Sequence, residues 1–140
     1  MSRVYLDTNI FVYALEGNPT FGPQAKAILE RVQSKDHLLF GSLITLSELL
    51  VLPTREGNTS YVARLKHFFR SAGITLVPYT HESADTYAEL RAIQRIKPLD
   101  AYHLASAAIA GIDTFITNDI KLTKLSVAGI GAIEGLDAQL

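Results

Sequence analysis

The chain has 140 residues, 13 basic and 14 acidic side chains, a net charge of −1 and no cysteine. That length suits one domain that buries roughly 68–70% of its unfolded surface, so the core needs no covalent staple. Disulfides and thiolate metal sites are excluded, and affinity for nucleic acid through overall basicity is not expected, although a local basic patch is compatible with this balance.

Strand and helix signals alternate along the chain. An apolar strand over residues 3–6 ends at Asp7, and an apolar helix follows Asn9. Residues 22–34 read as a helix with Ala25, Ile28, Leu29 and Val32 on one face. Residues 37–41 read as a second strand. The next helix starts at Ser42 or Thr45, carries Leu46, Leu49 and Leu50, and stops at Pro53. A polar loop is expected over 54–60, then a helix over 61–72 closed by Gly73.

Residues 74–77 form a third predicted strand. A long helix is expected over 81–96, with Ala84, Tyr87, Ala88 and Leu90 buried. Pro98 presets the turn into an alanine-rich helix over 100–110. A fourth strand over 114–117, a short helix near 122–125 and a weak fifth strand over 128–133 complete the pattern. The expectation is a single α/β domain over 1–140. Its sheet is mostly parallel, with four or five strands and helices on both faces. The longest uncharged stretch, 102–112, is too short to span a bilayer. No basic leader with an apolar core precedes Val4, so a cytoplasmic location is expected.

Four acids occupy element boundaries: Asp7 after the first strand, Glu48 on a helix, Asp100 opening a helix and Asp119 past the fourth strand. Asp is favoured at helix starts for purely structural reasons, and Asp7, Asp100 and Asp119 all admit that reading. Glu48 is different: beside Leu46, Leu49 and Leu50 its carboxylate needs a partner or a raised pKa. Four carboxylates aimed at one crevice repel unless a cation sits between them, which points to a hard divalent metal.

The segments Tyr5-Leu6-Asp7-Thr8-Asn9, Thr45-Leu46-Ser47-Glu48-Leu49, Leu99-Asp100-Ala101-Tyr102-His103-Leu104-Ala105 and Ile116-Thr117-Asn118-Asp119 together resemble the motifs of PIN-domain ribonucleases. The subgroup they look most like is the VapC-like toxins of toxin–antitoxin pairs. The likeness runs from Val4 to about Ile133; Tyr102 and His103 fill slots where the family often has small or aliphatic residues. The resemblance implies a central first strand and a Mg²⁺ or Mn²⁺ site held by Asp7 and Asp100, completed by Glu48 and Asp119. Thr8, Asn9, Thr117 and Asn118 would orient carboxylates and waters. It further implies hydrolysis of RNA phosphodiester bonds, a small antitoxin partner and a homodimer.

Basic side chains that could meet RNA phosphates are Arg55, Arg64, Lys66, His67 and Arg70, with Lys97 just before Asp100. An ordinary solvated helix face is the alternative for these. His103 stands three residues after Asp100 and is either a general acid or a satisfied structural histidine. The apolar stretches 11–15 and 61–69 belong either to the core or to a surface for a partner helix. No glycine-rich phosphate loop is present. A receiver domain fails because Thr8 follows Asp7, and an Asp-x-Asp phosphatase fails at Asn9. The remaining alternative is a non-catalytic or non-toxin PIN-fold protein acting as an RNA- or protein-interaction domain.

Overall fold

A computed structural model describes residues 1–34 and 37–140. Among the described residues, five strands lie in one parallel sheet, ordered β3-β2-β1-β4-β5. They are β1 (Arg3–Leu6), β2 (Leu38–Gly41), β3 (Thr75–Leu76), β4 (Ile112–Ile116) and β5 (Ile130–Glu134). The helices are α1 (Thr8–Glu16), α2 (Gly22–Ser34), α3 (Leu43–Arg55), α4 (Thr59–Ser71), α5 (His81–Ala92), α6 (Pro98–Ala110) and α7 (Ile120–Thr123). Strand β1 is central, pairing Tyr5 with Phe40 on one side and with Phe115 on the other.

Side-chain alternation along β1 divides the core in two. Val4 and Leu6 face α1, α2 and α4 with Ile10, Phe11, Ile28, Leu65 and Phe69. Tyr5 points the other way, into a cluster built from α5, α6 and Phe115. The Tyr5 and Phe115 rings stack with centroids 5.1 Å apart. Helix α6 contributes Ala101, Ala105, Ala107 and Ala108, whose small side chains let it lie close to the sheet. At Gly129, with φ of +98°, a Cβ would collide with the Ala108 carbonyl, so β5 reaches its place only with glycine there.

Several element boundaries differ from the sequence expectation. Helix α3 does not stop at Pro53; it runs to Arg55, because a proline in the final turn removes one hydrogen bond but keeps helical φ. Helix α4 starts at Thr59, two residues earlier than expected, because the Asn58 side chain accepts from the Tyr61 N–H. The polar loop expected over 54–60 therefore shrinks to residues 56–58. Helix α5 ends at Ala92, not at 96. Arg95 adopts a left-handed φ of +56°, and the Ile96 N–H turns back to the Leu90 carbonyl.

Ala84 and Ala88 are exposed, contrary to expectation. The inward face of α5 is Ser83, Tyr87 and Leu90, turned that way by the capping box between Thr80 and Ser83. Helix α6 begins at Pro98, so Asp100 sits in its first turn and does not cap it; Lys97 holds the cap position. Strand β3 keeps only residues 75–76 of the expected 74–77. Strand β4 starts at Ile112 and α7 at Ile120, each two residues before the expected position, and β5 starts at Ile130, two residues after it. The stretches 11–15 and 61–69 serve the core: Phe11, Ala14, Leu65 and Phe69 are buried and their apolar neighbours pack against them.

Candidate active site

Parallel α/β sheets present their ligand crevice at the C-terminal ends of the strands. Here β1 delivers Asp7 there, and β4 delivers Thr117, Asn118 and Asp119 beside it. Helices α3 and α6 bring Glu48 and Asp100 from the flanks. A cleft of about 350 Å³ is lined by Asp7, Thr8, Asn9, Glu48, Asp100 and His103, among others. Asp119 stands in an adjoining cavity that shares Asp100 as a wall. A larger cavity of about 600 Å³ opens beyond Thr117 and Asn118 against Phe21 and Leu136, but it contains none of these four acids.

Asp7 is 5% exposed. One carboxylate oxygen accepts the Thr8 N–H at 2.8 Å, capping α1, and the other accepts the Thr117 hydroxyl at 2.8 Å. Burial nonetheless outweighs these bonds and pushes the Asp7 carboxyl above its usual range. Asp100 has no hydrogen-bond partner among the described residues. Burial raises its pKa, and the neighbouring charges of Asp7 and Asp119 raise it further. Asp119 caps α7 by accepting the Lys121 N–H at 3.0 Å.

Glu48 has found the partners its apolar surroundings demand. The Thr8 hydroxyl donates to Glu48 Oε1 at 2.7 Å, and His103 Nε2 lies 3.5 Å from the same oxygen. Burial pushes the Glu48 carboxyl up, but His103 and Thr8 together outweigh it and leave the group below its usual value. Thr45 stands 2.9 Å from the Thr8 hydroxyl. Since Thr8 gives its one hydrogen to Glu48, Thr45 must be the donor in that pair.

His103 is 1% exposed, and its Nδ1 lies 2.7 Å from the Tyr5 hydroxyl. A ring with its hydrogen on Nε2 satisfies every contact: Tyr5 donates to Nδ1, and Nε2 donates toward Glu48 and Thr8. That geometry suits a structural, orienting histidine and leaves no free nitrogen for an incoming group. Tyr5 and Thr45 were absent from the sequence-derived site. The signal for Tyr5 was a polar atom in an otherwise apolar central strand, which must find a buried partner.

The four expected supporting residues converge as well. Thr117 accepts the Asp119 N–H at 3.1 Å while donating to Asp7, and Asn9 Nδ2 lies 3.4 Å from the same hydroxyl. Asn9 Oδ1 accepts the Asn118 N–H at 3.3 Å. Lys97 borders the cavity with Asp119 and acts on Asp100 by its charge. By contrast Arg55, Arg64, Lys66 and Arg70 are exposed on α3 and α4, and none lines the carboxylate cleft. Arg64 instead lies over the Tyr61 ring, 5.2 Å from its centroid.

Among the described residues, no three His, Cys, Asp or Glu side chains are gathered closely enough to form a ready metal cage. The donor chemistry still fits Mg²⁺ or Mn²⁺, because Mg²⁺ keeps several waters and takes only one or two protein carboxylates directly. Burial raises the Asp7 and Asp100 carboxyls above their usual range and neighbouring carboxylates add to the rise, so a cation held there would favour their charged forms.

Residues 4–128 match the PIN domain family. The chain belongs to that family. No curated protein matches it by sequence. Among solved structures it is similar to VapBC2 from Rickettsia felis bound to a promoter DNA fragment, at 23% identity and a TM-score of 0.74, covering 94% of this chain and 97% of that one. DNA-bound VapBC from Salmonella typhimurium aligns at 21% identity and TM-score 0.72, over 97% and 99% of the two chains. The sarcin–ricin loop cleaving toxin VapC20 of Mycobacterium tuberculosis aligns at 17% identity and TM-score 0.65, over 88% and 96%. At these identities the likeness speaks for the PIN fold. No helix among the described residues is long and apolar enough to cross a membrane.

Proposed function

We propose that the chain is a Mg²⁺- or Mn²⁺-dependent endoribonuclease, the toxin of a toxin–antitoxin pair working in the cytoplasm. The observation that carries this reading is the joint placement of Asp7, Asp100 and Glu48 in one cleft at the strand ends of a PIN fold. Two of the similar structures are VapBC complexes and a third is an RNA-cleaving toxin, which supports an RNA substrate and a small antitoxin partner. A homodimer is part of the same proposal.

Asp7 and Asp100 would hold the cation directly, with Glu48 and Asp119 completing its surroundings through water. When bound, the cation would lower the pKa of a water and neutralise charge building on the phosphate. The chain's own part is positional. Thr117 and the Thr8 N–H fix the Asp7 carboxylate. Thr8 and His103 fix that of Glu48, ready to orient water. Hydrolysis adds water across the P–O3′ bond, leaving a 3′ hydroxyl and a 5′ phosphate.

The test is induction in a bacterial host. The parent chain should arrest growth and leave RNA fragments with 5′ phosphates, whereas Asp7→Asn should do neither. Equal arrest by both would overturn the reading.

A further inference from the structure

The second cavity beside the cleft is built from Arg95, Ile96, Lys97, Asp100, Asp119, Lys121 and Leu122, and has a volume of about 220 Å³. We propose that Arg95, Lys97 and Lys121 form a subsite for backbone phosphates of single-stranded RNA flanking the bond to be cut. This rests on the ribonuclease reading above and deepens it.

Three cations and two carboxylates share this wall, yet the cations pair with no carboxylate among the described residues. Among the described residues no lysine or arginine lies within 4.0 Å of a carboxylate, and Arg95, Lys97 and Lys121 are no exception. Cations held beside carboxylates without pairing to them are free for an external anion. Their placement also fits the chemistry, since Asp100 is common to this cavity and to the catalytic cleft. A strand with one phosphate at the cleft would run on across the shared Asp100 wall into this cavity.

The backbone adds an independent observation. Arg95 is the only non-glycine residue at positive φ among the described residues, at +56°. It lies in the turn beyond the Ile93 cap of α5, in a left-handed conformation that glycine adopts at least cost. Among the described residues its side chain has no hydrogen-bond partner; the turn is tied instead by Arg91, whose guanidinium donates to the Ile96 carbonyl at 3.1 Å. A strained backbone under a side chain with no structural partner points to a role for that side chain.

The test measures binding of a fluorescein-labelled single-stranded RNA dodecamer by anisotropy in EDTA across a salt series, and its cleavage in Mg²⁺. For single strands each phosphate contact contributes about 0.7 to the slope of log K against log salt. Combining Arg95→Gln, Lys97→Gln and Lys121→Gln should flatten the slope by about 2. It should also raise KM more than it lowers kcat. Combining Arg64→Gln, Lys66→Gln and Arg70→Gln on α4 should leave slope and KM as in the parent.

Arg95→Gly should melt no lower than the parent, because glycine accepts the turn freely, and still bind the RNA more weakly. A merely structural Arg95 would give no such split. If the parent cleaves the RNA but the cavity variants keep its slope and KM, the subsite is wrong and the ribonuclease reading stands. If the parent neither binds nor cleaves it, both fall.

Discussion

The Tyr5 hydroxyl lies 2.7 Å from His103 Nδ1, joining the central strand to the helix that carries Asp100. Through the opposite nitrogen the ring reaches Thr8 at 3.2 Å and Glu48 at 3.5 Å. Tyr5, Thr8, Thr45 and His103, from β1, α1, α3 and α6, therefore set the angle of the Glu48 carboxylate. Tyr5→Phe removes the donor and leaves a buried ring nitrogen without a partner, which costs about 1–3 kcal/mol. Urea unfolding should register that loss. RNA cleavage should fall with it, because the imidazole loses the contact that aims it at Glu48. An unchanged midpoint and rate would mean that His103 is held by packing alone.

The carboxylates make a pH-dependent contribution of definite sign. Asp7 and Asp100 have raised pKa values, so the folded state binds their protons more tightly than the unfolded chain does. Stability from this source is present at low pH and is lost as pH rises through the raised values. Glu48, with a lowered pKa, works oppositely: its contribution is present above the ordinary glutamate range and is lost as pH falls through the lowered value. Asp100→Asn should therefore melt higher than the parent in EDTA at neutral pH. That advantage should vanish on acidification below the ordinary aspartate range. Thermal melts over a pH series decide this.

Divalent cation should offset the same repulsion in the parent. Binding to the folded state alone stabilises by about 2.7 kcal/mol at 100 times Kd. The parent should show a Mn²⁺-dependent rise in Tm, and Asp100→Asn should gain little. Equal rises in both proteins would place the cation elsewhere.

The Gly129 position makes a prediction about the fold that is independent of the site. A Cβ there meets the Ala108 carbonyl, and φ of +98° strains any other residue. Gly129→Ala should destabilise by at least about 1–3 kcal/mol through overpacking, read from urea unfolding at constant m. A smaller effect would mean that β5 can shift away from α6.

How much of this was legible in the sequence depended on whether the determinants were local. The Asp7 and Asp119 boundaries carry their own signals, since each follows a strand and caps the next helix. Alternating strand and helix runs indicate a mostly parallel sheet, and every observed pairing is parallel. The network around Glu48 was not legible: Tyr5 and His103 are 98 positions apart and Thr8 and Thr45 are 37 apart, so only the fold brings them together. The basic groups illustrate the same limit. A charged helix face is conspicuous in sequence on α4, whereas Arg95 and Lys121 reach one cavity because of a left-handed turn and the start of α7.

The central claim is that Asp7 and Asp100 form the metal-dependent centre of an RNA-hydrolysing cleft. Its most direct test is cleavage of total RNA by purified parent, Asp7→Asn and Asp100→Asn, each in Mg²⁺, Mn²⁺ and EDTA, with the cut ends mapped. The parent should cut only with added metal and leave 5′ phosphates. Loss of a residue that merely orients a metal ligand costs about 10–100-fold, so each variant should lose at least about 100-fold while keeping the parent's far-UV circular dichroism. Cleavage in EDTA at the parent's full rate, or by either folded variant at that rate, would contradict the account.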